Sequence, residues 1–382
     1  MSRTQKELLI VIFTAICTTI LVWAPFFLHL TSFWGISYDE GGLSTVIRNY
    51  DGPNYIVVAK TWYDPKLILQ QFSGTLSPLY YTAHYPFFPL FIALFAPIFG
   101  FLHSLLFVPL LFSAVAACVF YVLLKQVGLQ KDALWLSSLF LLFPARFVAV
   151  RSVGSPEPLF LTLLFLSLYF FLRKKYGASG VFGGLATLTR SPGILLFVSY
   201  VLFFIFQVIK ERHLLRPSKW PWKEFISILI IPLSLLGLFF FYGYKTGDFF
   251  AYFHSGDNIH VSFPPFQVFN AAKQWVGEFW LEDIIYVYLF GLLAVFGLYA
   301  KKLYPLFFFA LVYFLATISV EHRDVARYSI PLFPLLLIGL SEFFSRRLFR
   351  WAYLLLLPAV YLYVQNFLLH NAGPLADFTP YL

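Results

Sequence analysis

Apolar residues run along this chain in long blocks separated by short polar breaks, not at the spaced positions of a soluble amphipathic helix. The blocks fall at residues 8–30, 104–124, 133–150, 158–172, 178–190, 192–209, 225–245, 284–300, 303–320, 328–344 and 351–370. A helix rises 1.5 Å per residue, so about 20 such residues span a hydrocarbon core of about 30 Å. The pattern predicts an all-α polytopic membrane protein of about eleven transmembrane helices, forming one integral membrane domain over 1–382. A twelfth block, 86–102, differs because Pro86, Pro89, Pro97 and Gly100 interrupt it, and proline removes helix hydrogen bonds. It closes a long loop, 31–103, in which Asp51 to Tyr63 carries apolar groups at helical spacing. That stretch predicts a short helix lying in the membrane interface. A second long loop covers 246–283.

Charge decides how the ambiguous block lies. If 86–102 does not cross, one side receives Arg3, Lys6, Lys125, Lys131, Arg173-Lys174-Lys175, the cluster from Lys210 to Lys223, Lys301-Lys302, and Arg346, Arg347 and Arg350. If it crosses, Arg173-Lys174-Lys175 and the Lys210–Lys223 cluster move to the opposite side. The positive-inside rule favours the first arrangement. The N-terminus is then cytoplasmic and 86–102 is a juxtamembrane or re-entrant helix on the exterior. Most of the 18 acids fall on that exterior face, so the chemistry is expected there: outside the plasma membrane in a prokaryote, on the ER lumen side in a eukaryote.

Composition agrees with a lipid solvent. The chain is 60% hydrophobic and 12% charged, about half the charge of soluble domains. The net charge of +9 sits in short loops, where it reports topology and not a nucleic-acid surface. Cys17 and Cys118 both lie inside apolar blocks, which excludes a disulfide framework. No P-loop, GxGxxG, HExxH or Cys-x-x-Cys occurs, so neither nucleotide-driven chemistry nor a histidine-based metalloenzyme is supported.

The candidate chemistry is a set of acids and arginines at the exterior ends of the blocks. Tyr38-Asp39-Glu40 and Tyr50-Asp51 follow the first block; carboxylates so placed can act as a general base, bind a divalent cation, or be solvated loop acids. Arg190 stands between two blocks at a Ser-Pro-Gly break, and Arg327 opens the tenth block. Each can bind phosphate bidentately or snorkel to the headgroups. Arg146 and Glu157 lie near enough in sequence to form a structural pair. His84, His254, His260 and His322 also face outward.

Several of these segments resemble one family. Arg48-Asn49-Tyr50-Asp51-Gly52-Pro53-Asn54-Tyr55 is similar to the first-loop motif of the PIG-V-like branch of GT-C membrane glycosyltransferases. His84-Tyr85-Pro86-Phe87-Phe88-Pro89-Leu90 resembles its Phe-Pro-Leu segment, and Phe143-Pro144-Ala145 through Glu157-Pro158-Leu159-Phe160 its Phe-Pro…Glu-x-Leu-Phe segment. Gly184-Leu185-Ala186-Thr187-Leu188-Thr189-Arg190-Ser191-Pro192-Gly193 is close to its Thr-Arg-Ser-x-Gly segment, and Arg327-Tyr328…Pro331…Pro334 adds a weaker match. Tyr50 replaces the usual Trp, and Pro156 the usual Ser or Thr.

The resemblance implies a GT-C fold with juxtamembrane helices in the first exterior loop. It implies a polyprenyl-phosphate sugar donor, an inverting transfer of a hexose such as mannose, and an acceptor hydroxyl on an unidentified glycan, lipid or protein. Asp51 would be the catalytic base, with Arg190, Arg327, Asp39, Glu40, His84 and Glu157 binding substrate; a divalent cation is compatible with the acids. A transporter or flippase of a lipid-linked saccharide is the alternative, though no internal repeat of the transporter kind is present. A structural or assembly protein is a third reading.

Overall fold

A computed structural model describes residues 1–72, 76–210, 222–256, 261–278, 281–375 and 377–382. Asp257, His260, Arg212, Arg216 and Lys219 fall outside the described residues. The protein is a helical bundle; the strands among the described residues are a two-residue hairpin, Ser32–Phe33 against Ile36–Ser37.

Each of the eleven apolar blocks is helical, but not as eleven unbroken crossings. Among the described residues, six helices are long and apolar enough to span a membrane: Arg3–Phe27, Phe101–Gln126, Ser191–Lys210, Trp222–Thr246, Leu281–Ala300 and Arg347–His370. A bent pair, Ala133–Leu142 and Ala145–Arg151, makes up to seven. The expected count of eleven is therefore not met by length alone, and proline supplies much of the reason. Phe143 turns extended before Pro144, and the chain re-enters a helix at 73° to its first course. The block 328–344 breaks at Pro331 into Val325–Tyr328, Leu332–Gly339 and Ser341–Phe344. Glu157–Leu172 and Tyr304–Ile318 have 16 and 15 residues, or about 24 and 22 Å at 1.5 Å per residue. The block 86–102 becomes a 13-residue helix, Phe87–Phe99, ended by Gly100 at φ +75°; at about 20 Å it falls short of the hydrocarbon core.

The layering follows from which helices are apolar all round. Glu157–Leu172 and Leu332–Gly339 are buried on nearly every side, the latter at all eight positions. Trp222–Thr246 and Arg347–His370 bury only 22% of their most apolar window and present Leu233, Phe240, Leu348 and Leu355 outward. An apolar face of that extent is stable only against lipid. With no water to expel, such helices associate by close packing. Gly297 shows it: a Cβ there would stand 2.8 Å from the carbonyl carbon of Gly339, so two helices cross backbone to backbone.

The first long loop is folded. Leu43–Ile47, Gly52–Thr61 and Pro65–Gln71 are helices. Asn49 ties them to the end of the last long helix, donating to the Leu368 carbonyl at 2.9 Å.

Candidate active site

Three helix ends and two loops enclose a cavity of about 510 Å³. Its walls include Asp51 and His84 from the first loop, Arg146 from the bent pair, Arg190 and Ser191 from the break after Thr189, and Arg323, Asp324 and Arg327 from the segment before Leu332. Tyr50, Tyr55, Tyr80, Tyr85, Tyr252 and Tyr328 supply aromatic faces.

Local geometry explains why Asp51 faces the hollow. It occupies the N-cap position of Gly52–Thr61 but makes no side-chain cap hydrogen bond. An N-cap carboxylate normally accepts from the second or third helical amide, and here the second residue is Pro53, which has none. Tyr50 adopts φ +50°, a left-handed conformation uncommon for a non-glycine residue. The chain turns sharply there, and the Tyr50 ring lies 4.1 Å from the Arg327 guanidinium. The Asp51 side chain is 35% exposed, 3.9 Å from His84 Nε2 and 3.9 Å from Arg327 Nη1. Its surroundings of protein push its pKa up, but the His84 ring and the Arg327 and Arg190 charges outweigh this and hold it at about 2. Because the carboxylate opens onto the cavity, water weakens the desolvation further.

Arg190 is placed by a helix end. The helix Tyr176–Thr189 stops, Arg190 is extended at φ −152°, and Ser191–Ile194 forms a 3₁₀ turn. Gly193 makes this possible, since a Cβ there would meet the Thr187 amide nitrogen at 2.4 Å.

Beneath the cavity lies Glu157, 2% exposed at the first turn of its helix. Its Oε1 accepts from Arg190 Nη1 and from Arg327 Nε, the latter at 2.5 Å. It is not among the cavity-lining residues and sits as a buried counter-ion holding two arginines. The expected Arg146–Glu157 pair is replaced: Arg146 Nη2 lies 3.3 Å from Asp324 Oδ1, and its guanidinium lies 4.2 Å from the Phe367 ring.

Of the other residues expected in the site, His84 lines the cavity, edge-on to Tyr55 at 5.0 Å. Asp39 and Glu40 do not. Asp39 accepts from Thr45 Oγ1 at 2.7 Å and pairs with Arg48 at 3.4 Å, and Glu40 is exposed. The polar pull of neighbours inside the loop wins over the cavity. Sequence reasoning missed Phe367 and Asn371, which arrive from the far end of the chain and carry no local signal. Arg151 is fully buried, donating to the Leu141 carbonyl at 2.8 Å and to Thr19 and Thr18 at 2.6 Å each. Among the described residues, no three His, Cys, Asp or Glu side chains gather as a metal-binding group.

A second, apolar groove of about 360 Å³ adjoins this cavity and shares Ser191, Tyr252 and Tyr328 with it. Pro192, Ile194, Leu195, Tyr313, Ala316 and Val320 line the rest.

A family model described as dolichyl-phosphate-mannose-protein mannosyltransferase matches residues 83–236, a stretch that includes Arg146, Glu157 and Arg190. No curated protein matches the chain. Among solved structures, ArnT from Cupriavidus metallidurans, bound to undecaprenyl phosphate, is similar with a TM-score of 0.53 at 15% identity. The match covers 86% of this chain and 59% of that one, so the chain spans under two thirds of ArnT's length. The chain shares its helical membrane fold with ArnT, and the protein is an integral membrane protein.

Proposed function

We propose that this chain is a GT-C glycosyltransferase that takes a sugar from a polyprenyl-phosphate donor and passes it to an acceptor hydroxyl. One observation carries the reading: a cavity lined by a carboxylate and two arginines adjoins an apolar groove, the two sharing Ser191, Tyr252 and Tyr328 as walls. A lipid-linked sugar phosphate is the ligand with that sequence of chemistries, an apolar tail, an anion and a polyol. The groove suits the tail, Arg190 and Arg327 the phosphate, and the tyrosine-rich wall the sugar.

The matched mannosyltransferase family and undecaprenyl phosphate in ArnT support the same donor class. The sequence motifs add the finer assignments: a PIG-V-like branch, a hexose, and inversion. In that reaction the acceptor oxygen attacks the anomeric carbon while its proton passes to Asp51. The anomeric carbon–phosphate oxygen bond breaks, and its electron pair leaves with the polyprenyl phosphate. The arginines stabilise the charge that develops on that oxygen.

Asp51 begins as a weak base because its neighbours hold its pKa down to about 2. A donor phosphate on Arg190 and Arg327 offsets the positive field that Asp51 feels. Its basicity therefore rises when the donor is bound, toward the range where a general base works best. On this reading the site faces the exterior, as the charge distribution of the loops predicts.

The test is transfer of sugar from a polyprenyl-phosphate donor by protein in detergent, where no second compartment exists. A transporter would release no sugar. In Arg190→Ala protein, Arg327 remains as the counter-ion of Glu157, so donor KM is expected to rise at least tenfold while the melting temperature falls by only a few degrees. Parallel loss of binding and stability would assign Arg190 to structure alone.

A further inference from the structure

Resting on that donor chemistry, we infer that Glu157 is a built-in competitor for the lipid phosphate, which limits how tightly the two arginines hold the product of transfer. The geometry is specific. One buried carboxylate oxygen engages both guanidinium groups, through Nη1 of Arg190 and Nε of Arg327. Arg327 Nη1 stands 3.9 Å from Asp51, and both arginines line the cavity. The second oxygen, Oε2, is buried with no hydrogen-bond partner among the described residues. Pro158 at the second helical position gives it no amide. A carboxylate with an orphaned oxygen is costly to bury, and its charge is spent entirely on the two arginines.

The charge balance shows what this accomplishes. Arg190, Arg327, Glu157 and Asp51 together carry no formal net charge. The donor's phosphodiester has one negative charge, whereas the polyprenyl phosphate left behind is a monoester with about −1.5 to −2 near pH 7. Transfer thus raises the anionic charge against the same two cations. With no opposing anion the product would be held more tightly than the donor, and turnover would wait on its release. A third anion touching both guanidinium groups offsets that difference. Glu157 acts through the arginines and is a positioning and charge-setting residue, not a catalytic one.

Glu157→Gln tests the idea, because glutamine keeps an oxygen to accept from both arginines and removes only the charge. Arg327 retains its stack on Tyr50 in the variant. Binding of polyprenyl phosphate and of an intact polyprenyl-phosphate sugar is measured on purified protein, together with steady-state and single-turnover rates. The monoester is expected to bind about tenfold tighter, equivalent to about 1.4 kcal/mol, and the diester less so. Donor KM and kcat should fall together, with a burst of first turnover. Unchanged or weaker monoester binding in folded protein overturns the inference, as does equal weakening of both ligands.

Should the single variant not fold, Glu157→Gln combined with Arg190→Gln preserves the summed charge. It is expected to bind the monoester within about threefold of wild type, and a tenfold loss overturns the inference. Wild-type protein that binds neither ligand would overturn the glycosyl-transfer reading itself. Binding by wild type without tightening in Glu157→Gln removes only the role of Glu157.

Discussion

Asp51→Asn is the sharpest perturbation of the proposed site. The substitution is nearly isosteric and removes one charge and one proton acceptor. A positioned general base contributes about 10²–10⁴ in rate, or roughly 2.7–5.5 kcal/mol at 1.36 kcal/mol per decade. The stability cost is much smaller. The carboxylate caps no helix amide, and its two charged neighbours both stand at 3.9 Å. Taken at face value, lowering its pKa from 3.8 to about 2 is worth about 2 kcal/mol. The side chain is 35% exposed, and solvent screening reduces that to about 1 kcal/mol.

The sign is that of a depressed acid: the contribution is present above the unfolded pKa near 4 and is lost as pH falls through about 2. Wild-type and Asp51→Asn melting temperatures should therefore differ slightly at pH 7 and converge in strong acid. Removing the anion beside Arg327 leaves the phosphate site more positive, so donor KM should stay level or fall. The assay is initial-rate transfer from a polyprenyl-phosphate sugar, with thermal unfolding of the same preparation in detergent. A kcat within threefold of wild type refutes the base assignment. A melting temperature that collapses along with the rate refutes the claim that Asp51 is not a structural residue.

Two further substitutions probe the groove and the packing. Ala316→Phe fills the apolar groove; donor KM should rise at least tenfold for a long polyprenyl tail and change little for one or two isoprene units, and equal effects would move the tail elsewhere. Gly297→Val places new carbon against the Gly339 backbone; a cost of about 2–3 kcal/mol is expected, read as a lowered unfolding midpoint in detergent, and an unchanged midpoint would contradict the close crossing.

The transmembrane blocks were legible because lipid imposes the same demand on every residue of a span. What the pattern could not carry is where a span stops being straight. Residues 133–150 read as one apolar block, yet Pro144 bends the helix by 73° and delivers Arg146 to the cavity. Asp51, His84, Arg190 and Arg327 were visible as polar residues at block ends, where a charge needs a reason, and the fold brings all four to one hollow. Asp39-Glu40 looked identical in sequence and differs only because Arg48 and Thr45 lie within reach. Glu157 was visible as an acid, but its partners stand 33 and 170 residues away, a distance that neither spacing nor hydropathy encodes.

A broken helix in an apolar bundle exposes carbonyls that no water can satisfy, and at several breaks in this protein a side chain donates to them. At the 142–145 break, Arg151 donates to the Leu141 carbonyl and Tyr353 to that of Leu142. Trp23 donates to the Ser152 carbonyl at the end of the same bent pair. Tyr313 donates to the Tyr328 carbonyl after Arg327, and Tyr63 to the His84 carbonyl beside Asp51. The buried Arg151, with no carboxylate partner among the described residues, is thus explained: its guanidinium caps the negative end of a truncated helix. The same pattern accounts for part of the 21% aromatic content, since tyrosine and tryptophan carry a donor on an apolar body. The breaks at residues 144, 190 and 331 are therefore what an apolar bundle requires if it is to hold arginines and a carboxylate together at one end, and the donors that stabilise the breaks at 144 and 331 belong to the site as much as the groups that face the substrate.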